Sequence, residues 1–174
     1  MKQGIAGLLF WAVTAGLGAQ AALPDGFGAF HLGMNLQDLK SALKGDASFQ
    51  YSGEPDVTLL SQPNTNLIDV PGQTYFSRGV FQIVDGKLYS IVLELNLDEL
   101  DYFTMYSTLT KKYGPPTALD PSSARWENPS VRMSLEKPAT VKYLDMAVFQ
   151  KLQKESRTQK ALQALTRDKF LETF

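Results

Sequence analysis

Few side chains in this chain are able to do chemistry. His31 is the only histidine among 174 residues, and there is no cysteine. A His/Cys metal centre is thereby excluded, and a Ser-His-Asp triad would have to use this one ring. No Gly-x-Ser-x-Gly elbow presents a serine to it, so the expectation for His31 is a structural role, exposed or packed. Carboxylates are more numerous. Asp98, Glu99 and Asp101 crowd one short stretch, but they precede a predicted helix, where capping and the helix dipole account for them better than paired-carboxylate hydrolysis does. Asp56 and Asp69 flank a loop-rich region and could lend oxygens to calcium, yet the Asp-x-Asp-x-Asp-Gly spacing of a calcium loop is absent. No phosphate loop or dinucleotide fingerprint follows any predicted strand. The sequence therefore names no catalytic, metal-binding or cofactor-binding residue, and the expectation is a protein that is not an enzyme.

Charge and composition narrow the class further. An apolar fraction of 44% with 20% charged residues is that of a folded domain rather than a disordered chain. The length suits one domain with a sizeable core. Residues 22–150 carry 10 Lys and Arg against 15 Asp and Glu, whereas residues 151–174 carry 6 against 3. An acidic body with a basic tail is expected, and fifteen acids on the body argue against a nucleic-acid partner. Met1-Lys2-Gln3, the apolar run from Gly4 to Leu17 and the small-x-small site Ala19-Gln20-Ala21 have the pattern of a secretory signal peptide. Residues 1–21 are read as that leader, 22–150 as an α+β domain and 151–174 as a helical tail. The expected location is periplasmic or secreted. Without cysteine there is no disulfide framework and no thiol near the cleavage site to carry a lipid.

The elements that must position any surface follow from pattern. Asn35 is a good N-cap with Asp38 three residues on, and Leu36, Leu39 and Leu43 share the face of a short helix ending near Gly45. Between Asp46 and Thr74 the signal weakens. Ala47–Tyr51 and Asp56–Leu60 could be short strands, Ser61–Asn66 and Pro71–Gln73 have loop chemistry, and this stretch is the first place to expect a binding surface. Asp85-Gly86 between two β-branched and aromatic runs is a strong hairpin signal. That hairpin is apolar on both faces: Val80, Val84, Tyr89, Ile91, Leu93 and Leu95 point one way, Phe81, Ile83, Leu88 and Val92 the other. Either a bulge shifts the parity or the second face is also covered. Asp98 is the expected cap of a second helix with a core stripe of Tyr102, Phe103, Tyr106, Leu109 and Tyr113, stopped by Gly114-Pro115-Pro116. A strand carrying Trp126, a cleanly alternating strand from Val131 to Glu136, and a strand from Thr140 to Leu144 complete the sheet. From Asp145 the pattern is helical, polar between Lys154 and Lys160, with Phe170, Leu171 and Phe174 more apolar than a free tail requires.

The fold class expected is α+β, with helices packed on an antiparallel sheet and a C-terminal helix. A capped helix followed by strands occurs twice, which reads either as one unit duplicated or as two uses of a common arrangement. The start Leu32-Gly33-Met34-Asn35-Leu36-Gln37-Asp38-Leu39 and the end Tyr113-Gly114-Pro115-Pro116, with Trp126 on the strand after it, resemble small bacterial envelope proteins. These are the BamE (SmpA/OmlA) outer-membrane assembly lipoproteins and β-lactamase-inhibitor-like modules. The resemblance implies helices on one face of an antiparallel sheet and work done by binding protein; this chain departs from it in lacking the lipidated cysteine. The function expected is thus a non-catalytic exported module that binds another envelope or periplasmic protein. The alternative is a carrier or sensor of a small apolar ligand held between helices and sheet, near Phe81, Ile83, Tyr102 or Tyr106.

Overall fold

The computed structural model describes residues 22–53, 57–59 and 64–171. The expected leader, Asp56, Leu60, residues 61–63 and Phe174 lie outside them. Element by element, the described residues open with a small hairpin, β1 (Gly26–Phe27) and β2 (Phe30–His31). Helix α1 (Leu36–Gly45) starts where its cap predicts, with Asn35 Oδ1 accepting from the Asp38 N–H at 2.9 Å. Strands β3 (Val57–Leu59), β4 (Thr65–Pro71), β5 (Phe76–Val84) and β6 (Lys87–Leu95) follow as an antiparallel meander. Helix α2 (Tyr102–Tyr113) then opens a second series: β7 (Ala118–Leu119), β8 (Ser123–Glu127), β9 (Val131–Glu136) and β10 (Thr140–Asp145). The last strands of the two meanders pair with each other, so the sheet order is β3-β4-β5-β6-β10-β9-β8-β7. The order is palindromic. Each half is one helix followed by four strands, and the fold is α+β with its helices on an antiparallel sheet.

Two stretches differ from their pattern. Ala47–Tyr51 contributes a single bridge, Phe49 to Gly72, instead of a strand. In the opposite direction, β4 runs through Thr65 and Asn66, which have loop chemistry. Only Ile68 and Val70 of β4 reach the core, so its apolar signal is two residues long. Pairing on both sides, with β3 and β5, orders it all the same.

The two-sided hairpin is resolved by a bulge. Gln82 pairs with Ser90 and Ile83 with Leu88, which leaves Tyr89 as the extra residue on β6. The parity of β6 inverts there, so Leu88, Ile91, Leu93 and Leu95 join Phe81 and Ile83 in the core. Val80, Tyr89 and Val92 are half-buried on the other side. The turn itself is as expected, with φ of 50° at Asp85 and 75° at Gly86.

Both helices cover the same face. Leu39 and Leu43 from α1 and Leu109 from α2 close over the sheet, with Phe30 and Phe49 packed against Phe81 of β5. Phe81 is the hub on that side, its ring 5.0 Å from that of Phe30 and 5.8 Å from that of Phe49. Glycine is needed next to it: a methyl group at Gly79 would stand 2.6 Å from Cε1 of Phe49.

Helix α2 starts three residues later than its acids suggest. Asp101, not Asp98, is the cap, accepting from the Thr104 N–H at 2.6 Å. Asp98 and Glu99 belong to a turn held by Asn96, whose side chain accepts from the Asp98 N–H and whose carbonyl accepts from Leu100. Phe103, expected in the core stripe, is 74% exposed, since it lies about 100° around the helix from Tyr102. Helix α3 (Met146–Leu171) is one continuous element, so the expected boundary at residue 150 falls inside it. Met146 is buried, Val148, Phe149 and Leu152 are half-buried, and every described residue from Gln153 to Leu171 is exposed. No helix of the described residues is long and apolar enough to cross a membrane.

Truncating the hub should reveal it. Phe81→Ala is expected to lower unfolding free energy in urea by about 3–5 kcal/mol through the cavity it leaves. Gly79→Ala should cost about 1–3 kcal/mol by overpacking against Phe49.

Candidate functional site

Among the described residues singled out for chemistry, His31, Asp69 and the acids at 98–101 are not brought together. His31 Nδ1 lies 3.0 Å from Asp25 Oδ1, and both side chains are exposed at the first hairpin. Asp69 is engaged by Arg78, whose Nε and Nη2 donate at 2.8 and 2.5 Å. That hydrogen bonding holds the Asp69 carboxyl below its ordinary range. Among the described residues, no group of three or more His, Asp or Glu side chains is placed to hold a metal ion.

The face of the sheet away from α1 and α2 has a repeated charge pattern. Arg78 also reaches Glu94 at 3.5 Å, Lys142 meets Glu136 at 2.5 Å, and Arg132 meets Glu127 at 2.6 Å. These cross-strand pairs suit a solvated surface and add modestly to stability where exposed. Arg132 also lies under the Phe149 ring, 5.2 Å from its centroid, where the start of α3 crosses this face.

Apolar exposure on the body lies elsewhere, at the end of the sheet where β4, β6, β7 and β9 finish and β5, β8, β10 and α2 begin. Asn96 ties two of these connections together: its N–H donates to Tyr75 O and its side chain to Thr74 O, both at 2.9 Å. The Lys137 N–H donates to Ser122 O, joining the other two. Tyr75, Leu97, Phe103 and Leu119 are 54–74% exposed along this rim. An open groove of about 500 Å³ is set into it, floored by Tyr102 and Tyr106 and walled by Leu119, Pro121 and Lys137.

Local chemistry explains the groove's shape. Tyr102 and Tyr106 are one helical turn apart, so their rings stack nearly parallel, 6.4 Å apart at 9°. Lys137 sits over Tyr102 at 5.6 Å, and Tyr106 leans on Trp126 at 6.3 Å. Trp126 is buried and donates its indole N–H to Gly114 O at 2.8 Å, which fixes the far end of α2. Desolvation pushes the Tyr102 hydroxyl above its ordinary range, so the ring stays neutral at any physiological pH. Four acids border the rim: Asp98, Glu99, Asp101 and Asp120. Asp120 accepts from the hydroxyls and N–H groups of Ser122 and Ser123, and Asp101 from the Thr104 N–H; these bonds hold both carboxyls well below the usual carboxylate range. Asp101 and Asp120 therefore keep their negative charge to lower pH than an ordinary carboxylate does.

Sequence reasoning looked for a surface between residues 46 and 74. Among the described residues of that stretch, β4 lies within the sheet, and Thr74 joins the rim. A signal for the rim was present in Leu97, a large apolar residue before three acids and outside the expected helix, and in Leu119, two residues before a proline; Phe103 was hidden in the expected core stripe. Pattern alone could not show that four connections meet at one end.

These features define an α+β module of two helix-plus-meander halves, with an acidic, aromatic rim at one end. The chain belongs to the TP0088 domain family, which it matches over residues 25–155. That span holds the whole sheet, α1, α2 and the part of α3 that touches the sheet. No curated protein matches the chain, and no solved structure does.

Two substitutions test the supports of this site. Trp126→Phe should cost about 1–3 kcal/mol by leaving the Gly114 carbonyl unpaired, read from urea unfolding. Hydrogen bonding to Arg132 lowers the Glu127 pKa in the folded state. The stability this contributes is present above the ordinary value of about 4.3 and is lost as pH falls through the depressed one. Glu127→Gln should therefore narrow the difference in unfolding midpoint between neutral and acid solution.

Proposed function

We propose that the protein is a non-catalytic, exported module that binds another protein of the cell envelope through the rim formed by Tyr75, Leu97, Phe103 and Leu119. The observation that carries this reading is the exposure of these four large apolar side chains at one end of the sheet, Tyr75 and Leu97 on connections tied by hydrogen bonds, Phe103 in the first turn of α2 and Leu119 at the end of β7. Clustered apolar exposure with a polar border is the usual physical mark of a protein-contact surface, and aromatic side chains supply most of the energy at such contacts. Export is supported by the leader pattern at residues 1–21. The resemblance of the helix start at Asn35 and the helix end at Gly114 to envelope-assembly proteins points the same way.

A small apolar ligand is the second reading, and the groove favours it. Its volume is within the range of small-molecule sites, and its floor is aromatic. Phe81 and Ile83, by contrast, are packed in the core.

One experiment separates the two. A photo-crosslinking amino acid is placed at Leu97 or Phe103 in cells that produce the protein, with exposed Gln37 on α1 as control. Discrete protein adducts from the rim and none from Gln37 are the expected result. Their absence, together with a stoichiometric apolar molecule extracted from the purified chain, would favour the ligand reading.

A further inference from the structure

Among the described residues, large exposed apolar side chains fall into two groups. One is the rim, and the other is the projecting part of α3, with Leu162, Leu165, Phe170 and Leu171 about 60% exposed. The two differ in charge. Four acids border the rim against Lys137, whereas α3 from Lys151 to Leu171 carries six Lys and Arg against Glu155 and Asp168. Apolar content matches apolar content, and the charges are opposite.

We propose that the rim's partner is α3 of a second copy of this chain, Leu162, Leu165 and Lys169 of one molecule docking against Leu97, Asp98, Glu99 and Phe103 of the next. This deepens the protein-binding reading of the rim and rests on it. Leu162 and Leu165 lie on one side of the helix, and Lys169, four residues beyond Leu165, shares that side. Lys154, eleven residues before Leu165, completes the row. On the acceptor, Asp98 and Glu99 have no capping role, since Asp101 caps α2, so their charge is available to a partner.

Geometry makes the contact intermolecular. Helix α3 leaves the sheet at Asp145, the end of β10, and is held there by Lys151 bonded to Asp85 at 2.9 Å in the β5–β6 turn. The rim lies at the other end of β10, beside Lys137 and Ala139. Within one molecule both surfaces are exposed, so neither covers the other. The helix is net basic, which disfavours pairing with a second α3 and favours an acidic acceptor. A rim-to-helix contact is heterologous, so it propagates into chains or closes into a ring.

Charge exchange tests it. Sedimentation velocity of the native chain in low salt is expected to show concentration-dependent association that weakens in high salt. Asp98→Lys with Glu99→Lys should weaken association by about tenfold or more, and so should Lys154→Glu with Lys169→Glu. An equimolar mixture of the two variants should restore it, because each then offers the other a complementary pair. Unchanged circular dichroism shows that the variants fold. Association that survives both reversals would overturn the proposal, as would a monomeric native chain, whether or not it binds anionic vesicles through α3. If the chain is monomeric and Phe103 crosslinks to a different protein, the second-copy assignment falls while the protein-binding reading stands. If the chain is monomeric and the rim yields no adduct, both fall.

Discussion

The ladder between β6 and β10 is the junction on which the rest of the molecule depends. Each half, a helix and four antiparallel strands, ends in a strand with one unpaired edge and an apolar inner row. Val141 and Tyr143 lie opposite Leu93 and Ile91 across that seam, and all four are buried. Joining the last strand of each meander removes both edges at once and merges two small apolar layers into one core. With no cysteine to tie the halves together, backbone pairing and side-chain burial at this seam must supply the cohesion.

The same topology decides where contact with other molecules can occur. Pairing in the middle moves the free edges outward to β3 and β7, which are three and two residues long. Such short edges offer little for strand addition. One face of the sheet is closed by α1 and α2, and the other carries cross-strand ion pairs that suit water. What remains is the end where four connections converge, and there the sequence has placed tyrosine, leucine and phenylalanine outside any core. Helix α3 is the other departure from a closed fold, anchored by Met146, Phe149 and Leu152 and exposed from Gln153 onward.

Bulge and cap illustrate how single residues redirect the pattern. Without the extra residue at Tyr89, the inner rows of β5 and β6 would face opposite ways, and Phe81 could not share a core with Ile91. Without Asn96 holding the turn before it, α2 could start at Asp98, and Glu99 would fall inside its first turn rather than outside the helix. In each case a hydrogen-bonding choice of the backbone outranks the apolar period written in the side chains.

Much of this was legible from residue order. The cap at Asn35, the turn at Asp85-Gly86, the stop at Gly114, the inward row Val131, Met133 and Leu135, and the two helix-plus-strands series are local features, set by backbone preferences that need no distant partner. The scarcity of chemistry-bearing residues is likewise a property of composition. Tertiary structure alone decided the rest. That β4 is a strand, that the two series join through their last members, and that Leu97, Phe103 and Leu119 come to one rim depend on pairings between residues far apart in the chain. Such pairings are stabilised by burial and hydrogen bonds that exist only once the sheet has formed, so no local pattern carries them.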